Sequence, residues 1–472
     1  MKPIFTISAA SVLMLAGCAH ITPSLTTTEL PTAQSFDADY RPDGTIVASE
    51  LSYQDYFNDP KLHALIESAL NNNRDLLAAT ARVEQARAQF RIQDSRRLPT
   101  VGADGSAVRA RTPSVDSNNN PVAVTFNSFD VGVGIASYEL DFWGRVKNLT
   151  EVARSQYLAT VSAQRAFYLS LVGDVASTYF DLIETEEQIT LAAETIATRE
   201  KSLKLARLRL DAGVTSALDF HQAEALLTQA QQALSTQQLS AATIRNQLTV
   251  LIGGRLPKSL PEGLSLGEQT FIAGLDAGLP SDLLLVRPDI IAAEQSLKAA
   301  NANIAVARAA FFPTISLTGR TGLSSSDLGD LFSSDSLTWR FGPSIDLPIF
   351  DWGAREADLG LAKAQEMESV ANYDKVVQTA FREVSDALAG RRWLAELVHA
   401  RTRTVTVQQR IGFLAQRRYD EGTASYLEVL DAERNLFIAR QSLLDARRME
   451  DQNAVSLFIA LGGGLNGSKN PL

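Results

Sequence analysis

The 472-residue chain contains one cysteine and four histidines, which leaves few side chains for disulfides or metal sites. A single cysteine cannot form a disulfide within the chain. The histidines lack the spacing of a zinc site, and no Gly-x-Ser-x-Gly sequence of a hydrolase is present. Gly132-x-Gly134 lacks the third glycine of a dinucleotide-binding pattern and is better explained as strand glycines. The sequence therefore predicts no catalytic residue, no metal and no cofactor. The four histidines are His20, His63, His221 and His399.

Positive charge is also scarce, because 44 Lys and Arg residues face 54 Asp and Glu residues. The formal net charge of −10, without any basic block, argues against a nucleic-acid partner, since neutralising phosphates needs concentrated positive surface. After the N-terminus, no apolar run reaches the 18 or so residues that a membrane-spanning helix requires. Any further membrane insertion would have to use β-strands.

The N-terminus has the pattern of a secretory signal, which we expect to occupy residues 1–17. A charged start at Lys2 precedes a short apolar run from Ile4 to Leu15. The sequence Leu-Ala-Gly-Cys then ends at Cys18 and resembles the bacterial lipobox, in which the cysteine is acylated, with palmitate among its acyl groups, and the chain is cut just before it. The alternative is an incidental cysteine within a discarded signal. Under the sorting rule that goes with this resemblance, Ala19 indicates the outer membrane.

The chain contains two copies of one unit. Asp289 follows Asp75 by 214 positions, and Pro313 follows Pro99 by the same shift (289−75 and 313−99). From the two Trp-Gly pairs onward the shift is 209 and stays constant. The landmarks at this second shift are Trp143 and Trp352, Gly213 and Gly422, Leu218 and Leu427, Glu224 and Glu433, and Gly253 and Gly462.

Each copy predicts a helix, a two-stranded hairpin, a very long helix and a return helix. Proline ends helices, and the Ala-, Arg- and Gln-rich composition favours them. The predicted helices are Lys61–Leu98, Arg145–Ala212 and Ser216–Leu251 in the first copy, and Ser281–Phe312, Ala354–Glu421 and Ser425–Leu461 in the second. Alternating apolar residues around Phe129 to Ile135 predict strands, with polar hairpin tips at Thr112–Pro121 and Ser324–Ser336.

The first long helix carries a heptad repeat that is typical of coiled coils. At 1.5 Å per residue this helix would be roughly 100 Å long. A seven-residue period with small flanking residues lets helices pack closely, although an ordinary solid bundle remains an alternative. The heptad residues are Val175, Leu182, Ile189, Ile196, Leu203 and Leu210, and the small residues are Thr178, Thr185, Ala192 and Ala206.

The resulting fold class is mainly α with a membrane β-barrel, built from two tandem repeats that give four strands and long coiled-coil helices per chain. Four strands cannot close a barrel, and an open sheet edge in lipid would leave backbone groups unpaired. The smallest single-chain barrels have about eight strands, so two or three copies are required. The expected divisions are 1–17 signal, 18–60 lipidated extension, 61–256 first repeat, 257–280 linker, 281–463 second repeat and 464–472 C-terminal tail.

Several motifs together resemble the TolC-type outer-membrane factor family, in the lipoprotein branch that serves resistance-nodulation-division efflux pumps. They are Leu15–Cys18, Tyr138–Arg145, Leu285–Glu294, Phe311–Ile315, Pro348–Gly353 and the two glycine turns. The resemblance implies a homotrimer with a twelve-stranded β-barrel on a twelve-column α-helical barrel. It implies a passive exit duct for drugs or other toxic compounds, lipid-anchored in the outer membrane of a Gram-negative bacterium and extending into the periplasm. The implied partners are a periplasmic adaptor protein and an inner-membrane pump of that type.

The resemblance also implies site residues, carried over by position. The adaptor-docking tips would be Gly213, Val214, Thr215 and Ser216, together with Gly422, Thr423, Ala424 and Ser425. The periplasmic gate would be Leu427, Glu428 and Asp431, for which a solvated helix face is the alternative explanation. Asp219 and Tyr419 would form a latch. Ala424 stands where some relatives carry a basic latch residue, so that link is absent in this chain.

Two other interpretations of the function remain at this point. A periplasmic lipoprotein adaptor should have one helical hairpin flanked by β-rich domains, whereas this chain has two equivalent hairpins and two strand pairs. An exit duct for type I secretion would share the predicted architecture. An enzyme is the other rival, and little supports it, because the histidines are scattered and the Gly-x-Ser-x-Gly motif is missing.

Overall fold

A computed structural model of the protein describes residues 36, 45–117, 119–257, 259–272, 275–276 and 280–465. The helices are α1 (Tyr53–Tyr56), α2 (Pro60–Asn72), α3 (Arg74–Ser95), α4 (Arg145–Asp211), α5 (Ala217–Leu251), α6 (Pro280–Val286), α7 (Pro288–Ala309), α8 (Ala354–Asp420) and α9 (Tyr426–Ala460). The strands are β1 (Ile46–Val47), β2 (Val101–Val115), β3 (Pro121–Glu139), β4 (Leu275–Asp276), β5 (Thr314–Ser325) and β6 (Leu337–Asp346). The predicted order of elements is therefore present in both repeats.

The first predicted helix of each repeat is wrong as a single element. In the first repeat Asn73 separates α2 from α3. Its side-chain oxygen accepts a hydrogen bond from the Leu76 backbone at 2.8 Å, and its amide donates to the Leu251 carbonyl at 2.9 Å. In the second repeat Arg287 separates α6 from α7, because Pro288 has no N–H to continue the helix. The break at Asn73 has a different cause, because an asparagine side chain can bond to backbone groups and so compete with the hydrogen bonds of the helix.

The first hairpin also differs from its prediction. The strands extend into the segment that we expected to be a polar loop, since β2 continues to Val115 and pairs with Pro121 at the start of β3. The tip is therefore restricted to residues between these two positions. The polar side chains of Thr112 and its neighbours suggested a loop. Their backbone groups are nevertheless hydrogen-bonded within the strand pair, so these residues belong to the hairpin.

One compact unit contains residues 83–160 and 293–373 and holds the four-stranded antiparallel sheet, in the order β2-β3-β5-β6. The two hairpins meet where β3 pairs with β5. A side chain at Gly132 would lie 2.9 Å from the guanidinium of Arg320. That glycine leaves room for Arg320 to cross β3 and reach Asp104 of β2 at 2.8 Å.

The second compact unit contains residues 161–292 and 374–472 together with 30–82. Its core includes the predicted heptad residues Val175 and Leu182, which are both buried. All the small flanking residues of the heptad, Thr178, Thr185, Ala192 and Ala206, are buried as well. These positions confirm the predicted close packing of the long helix.

The N-terminal and inter-repeat segments join within this second unit. β1 pairs in parallel with β4, and Phe57 forms an isolated bridge with Phe271. Tyr56 stacks on Phe458 with 4.1 Å between the ring centroids, and its hydroxyl donates to the Ala454 carbonyl at 2.9 Å. These contacts bind both segments to the end of α9.

Among the described helices, none combines the length and the apolar composition needed to cross a membrane.

Candidate functional site

The turn after α4 forms the first tip. The N–H of Gly213 donates to the Leu210 carbonyl, and the N–H of Val214 donates to the Arg209 carbonyl, both at 2.9 Å. These two bonds make a Schellman motif, which requires a residue in the left-handed conformation. Gly213 supplies it with φ of +72° and no steric cost.

The turn after α8 forms the second tip with the same geometry. Gly422 has φ of +72°, its N–H donates to the Tyr419 carbonyl, and the N–H of Thr423 donates to the Arg418 carbonyl. The predicted glycine turns are therefore present in both repeats. The proposed docking residues Gly213, Val214, Thr215, Ser216, Gly422, Thr423, Ala424 and Ser425 are all exposed or half-buried.

The helix that follows the first tip begins with a capping box. The Ser216 hydroxyl accepts from the Asp219 backbone at 3.2 Å, and the Asp219 carboxylate accepts from the Ser216 backbone at 3.3 Å. The same carboxylate accepts from the Thr215 hydroxyl at 2.7 Å. The Thr215 hydrogen bond lowers the pKa of Asp219, the bonds from Ser216 lower it further, and partial burial opposes them.

The second tip lacks this cap. Ser425 stands at the equivalent position, but its side chain makes no capping hydrogen bond. Glu428 is the counterpart of Asp219 (219+209), and it pairs with Arg418 at 2.8 Å instead. Ala424 has no hydroxyl to replace that of Thr215, and the longer glutamate reaches across the turn. The Glu428 carboxylate therefore links α9 to α8 across the second tip.

The predicted gate residues lie in the first turns of α9. Leu427 is 46% exposed, and Glu428 and Asp431 are exposed too. Asp431 pairs with Arg434 at 2.5 Å on the same helix. Leu427 and Asp431 are four positions apart, so they lie on one face of the helix. The structure thus places an apolar and an acidic side chain together on the accessible surface.

The predicted latch residues Asp219 and Tyr419 are not joined by a hydrogen bond within the described chain. Tyr419 is half-buried, with the Arg209 guanidinium 4.6 Å from its ring centroid and the Tyr426 ring at 5.0 Å. Asp219 is bound by Thr215 and Ser216. The latch therefore stays a prediction.

Beneath the tips lies one apolar cluster. Its buried members are Ala206, Ala223, Leu226, Ala415, Tyr426, Val429, Leu430 and Ala432, with Leu203, Phe220 and Tyr419 packed against them. Burial raises the pKa of Tyr426. The four helices that form the tips share this cluster, so the turns are supported by a common core.

A buried charge lies close to this cluster. Arg199 is 2% exposed, donates from Nη1 to the Leu226 carbonyl, and stacks over Phe437 with 5.0 Å between the guanidinium carbon and the ring centroid. Its Nε and Nη2 have no hydrogen-bond partner among the described residues. Burial raises the pKa of Glu433, and the neighbouring Arg199 charge opposes that rise.

The sequence patterns did not predict three arginines of this site. Arg209 and Arg418 are separated by the repeat shift of 209, so the alignment of the two copies could have revealed both of them. Arg199 gave no such signal, because a single arginine in a long helix has the same pattern as a solvated one. Only its burial in the folded chain distinguishes Arg199 from a solvated arginine.

The proposed lipidation residue, Cys18, lies outside the described residues. Within the described ranges, no group of three or more His, Cys, Asp or Glu side chains could hold a metal ion.

Comparison with known proteins places these features in one family. The profile described as "Outer membrane efflux protein" matches residues 65–254 and 279–463. The chain is 42% identical over 460 residues to the probable efflux pump outer membrane protein TtgC of Pseudomonas putida, covering 97% of this chain and 94% of TtgC. It is 39% identical over 471 residues to the cation efflux system protein CusC of Escherichia coli K12, covering 98% and 100%.

Solved structures agree with this assignment. The open state of the MtrE outer membrane channel of Neisseria gonorrhoeae has a TM-score of 0.85 at 38% identity, covering 94% of this chain and 98% of MtrE. A membrane protein of Pseudomonas aeruginosa has a TM-score of 0.86 at 36% identity, covering 94% and 97%. These similarities confirm the predicted fold class and exclude an enzyme. The chain belongs to the outer membrane efflux protein family and is an outer-membrane component of an efflux pump.

Proposed function

We propose that the protein is the passive exit duct of a tripartite efflux pump, assembled as a homotrimer. Each chain contributes four strands, so three chains would provide twelve, enough to close a barrel that one chain cannot close. An inner-membrane pump of the resistance-nodulation-division type would supply the energy, and a periplasmic adaptor would connect that pump to the duct. Acylation of Cys18 would add a lipid anchor in the outer membrane.

The pair of glycine tips is the single observation that carries this proposal. Both turns have the same Schellman geometry and rest on one apolar cluster, so three chains would present six equivalent turns at one end of the duct. We assign adaptor docking to residues 213–216 and 422–425. The exposed Val214 and the Thr423 hydroxyl group offer a mixed apolar and polar surface to a helical partner.

The periplasmic gate in this proposal is formed by Leu427, Glu428 and Asp431. Threefold symmetry would repeat the exposed leucine as an apolar ring and the carboxylates as an acidic ring. An apolar ring can close a pore by excluding water, and an acidic ring attracts cations. The latch between Asp219 and Tyr419 would have to form through a rearrangement, because no hydrogen bond joins them in this conformation and Thr215 and Ser216 bind the Asp219 carboxylate.

The duct does not select the exported compound. Relatives at similar identity carry different names: one is a toluene efflux protein at 42% identity and another is a cation efflux protein at 39%. A shared passive channel fits this range, because the inner-membrane pump and the adaptor bind the compounds before the duct receives them.

Deletion of the gene tests the proposal. We expect the deletion strain to accumulate at least one compound among dyes, solvents, antibiotics and metal ions, and we expect the intact gene on a plasmid to reverse this. A variant with Gly213→Pro and Gly422→Pro should fail to complement, since proline cannot adopt the positive φ of these turns. Unchanged accumulation across the whole panel in the deletion strain would contradict an efflux role.

A further inference from the structure

Trp143, which follows β3, is held by the neighbouring hairpin of its own chain. Its indole N–H donates to the Pro313 carbonyl at 2.8 Å. Its ring stacks on Phe312, with 4.7 Å between centroids and 21° between planes. This contact fastens the first hairpin to the second, at the end of the sheet where β3 stops and β5 begins.

Trp352 is the counterpart of Trp143 in the second repeat (143+209), and among the described residues its indole has no partners like Phe312 and Pro313. It is 89% exposed, and Phe350 is its one aromatic neighbour in the described part of the chain. Its backbone has φ of +57°, a left-handed conformation that strains a residue with a side chain. Such a conformation usually persists where surrounding contacts require it.

The two residues that hold Trp143 have counterparts in the first repeat. Phe312 and Pro313 correspond to Leu98 and Pro99 under the shift of 214. The backbone turn is the same at both places: the Phe312 N–H donates to the carbonyl three residues earlier at 3.1 Å, and the Leu98 N–H does so at 3.1 Å. Leu98 is 70% exposed. The Leu98–Pro99 turn is therefore a second platform with the same backbone hydrogen bond, and Trp352, its expected partner, is exposed.

The exposed tryptophan and the exposed Leu98–Pro99 turn lie at opposite edges of the sheet. Leu98 and Pro99 precede the edge strand β2, whereas Trp352 follows the edge strand β6. Three strand spacings, roughly 14 Å, separate those edges. Trp352 can therefore reach such a platform only on a second copy of the chain, whose β2 would lie beside β6 as β5 lies beside β3.

We propose that Trp352 of one copy inserts against Leu98 and Pro99 of the next, with its indole N–H donating to the Pro99 carbonyl. This inference rests on the proposed trimer and adds the residues that join its subunits. The contact that joins the two hairpins within one chain would recur, through the repeat, between neighbouring chains. A closed trimer would then contain six such contacts, alternately within and between subunits.

Photocrosslinking of the full-length protein tests the proposal. With Trp352→p-benzoylphenylalanine, irradiation of outer membranes should give a species of twice the chain mass. Mass spectrometry should locate the crosslink on the tryptic peptide 98–109. The matched control is Trp143→p-benzoylphenylalanine, which should crosslink within its own chain to peptide 309–320 and give no species of doubled mass.

The reverse probe protects the test against a misfolded variant. With Leu98→p-benzoylphenylalanine, the intermolecular crosslink should fall on peptide 341–355. In the Trp352 probe, an added Leu98→Asp substitution should reduce the yield at least severalfold, because a charge would lie beneath the apolar benzophenone ring that replaces the indole.

Light scattering of the detergent-extracted protein separates the two claims. If the protein is a trimer and the Trp352 and Leu98 probes crosslink elsewhere or do not link subunits, this contact is refuted while the duct proposal stands. A monomer would refute both. Crosslinks at the two expected peptides from a trimer would support both.

Discussion

The carboxylate of Glu428 lies 2.8 Å from the guanidinium of Arg418, and this ion pair joins the start of α9 to the end of α8 across the second tip. In the first repeat the equivalent residues, Asp219 and Arg209, do not meet. Asp219 caps its own helix, while Arg209 stacks on Tyr419 of the other repeat. Two copies of one turn thus use the same charged positions in different ways.

Loss of the pair at the second tip should loosen the entrance. Both side chains are about half exposed, and exposed ion pairs contribute about 0.2–1 kcal/mol. Glu428→Gln should therefore raise the open fraction of single channels in planar bilayers by at most about fivefold. The effect should shrink in high salt, because exposed charges are screened. Arg417→Gln is the control, since its pair with Glu421, four residues later, does not cross the tip to α9. Equal effects from the two variants would contradict a role for the cross-turn pair.

The two caps should respond differently to the same substitution. Ser216→Ala removes a hydroxyl that accepts from the Asp219 backbone and should cost about 0.5–2 kcal/mol locally. Ser425→Ala should cost much less, because that side chain makes no capping bond. Amide hydrogen exchange of the first turns of α5 and α9 measures both. Faster exchange is expected after Ser216→Ala alone, and equal exchange in the two variants would disprove the asymmetry.

The latch prediction can be separated from capping. If Asp219 and Tyr419 hold the entrance closed, Asp219→Asn and Tyr419→Phe should each increase single-channel conductance, although Tyr419→Phe leaves the Ser216 cap intact. Tyr426→Phe serves as the control, since it removes only the hydroxyl of the ring that packs on Tyr419 and leaves both latch side chains unchanged. Unchanged conductance in both latch variants would remove the latch from the mechanism.

Asp451 should make stability depend on pH. It is 5% exposed, and burial raises its pKa to about 8, helped by the Glu450 carboxylate and opposed by Arg447. A raised pKa favours the protonated carboxyl in the folded state. This stabilising effect is complete below the unfolded pKa near 4 and is lost as pH rises through about 8.

Asp451→Asn should therefore melt at a higher temperature than the wild type above pH 8, and the two should converge near pH 4. The gain should be on the order of 5 kcal/mol at most. Thermal unfolding followed by circular dichroism across this range measures it. Asp445→Asn is the control, because that carboxylate is exposed and pairs with Arg448. Parallel pH profiles for wild type and Asp451→Asn would disprove the prediction.

The order of helices and strands in the two repeats could be predicted from the sequence alone. The shifts of 214 and 209 predicted two copies of one unit. The prolines, glycines and heptad residues predicted the long helices and their turns, because these signals are local in the chain. The glycine turns at Gly213 and Gly422 follow from the same local chemistry. The break at Asn73 could not be read, since it depends on a hydrogen bond to Leu251, which is distant in sequence.

Tertiary structure decided how equivalent residues differ. The sequence shows that Thr215 and Asp219 are replaced by Ala424 and Glu428, but only the structure shows that Asp219 caps its helix and Glu428 pairs with Arg418. Arg199 is buried only because α5 and α9 pack around it. The two tryptophans have the same Trp-Gly sequence, yet Trp143 meets Pro313 and Trp352 is exposed. Sequence determines which side chains repeat, and the spatial order of strands determines which of them find a partner within one chain.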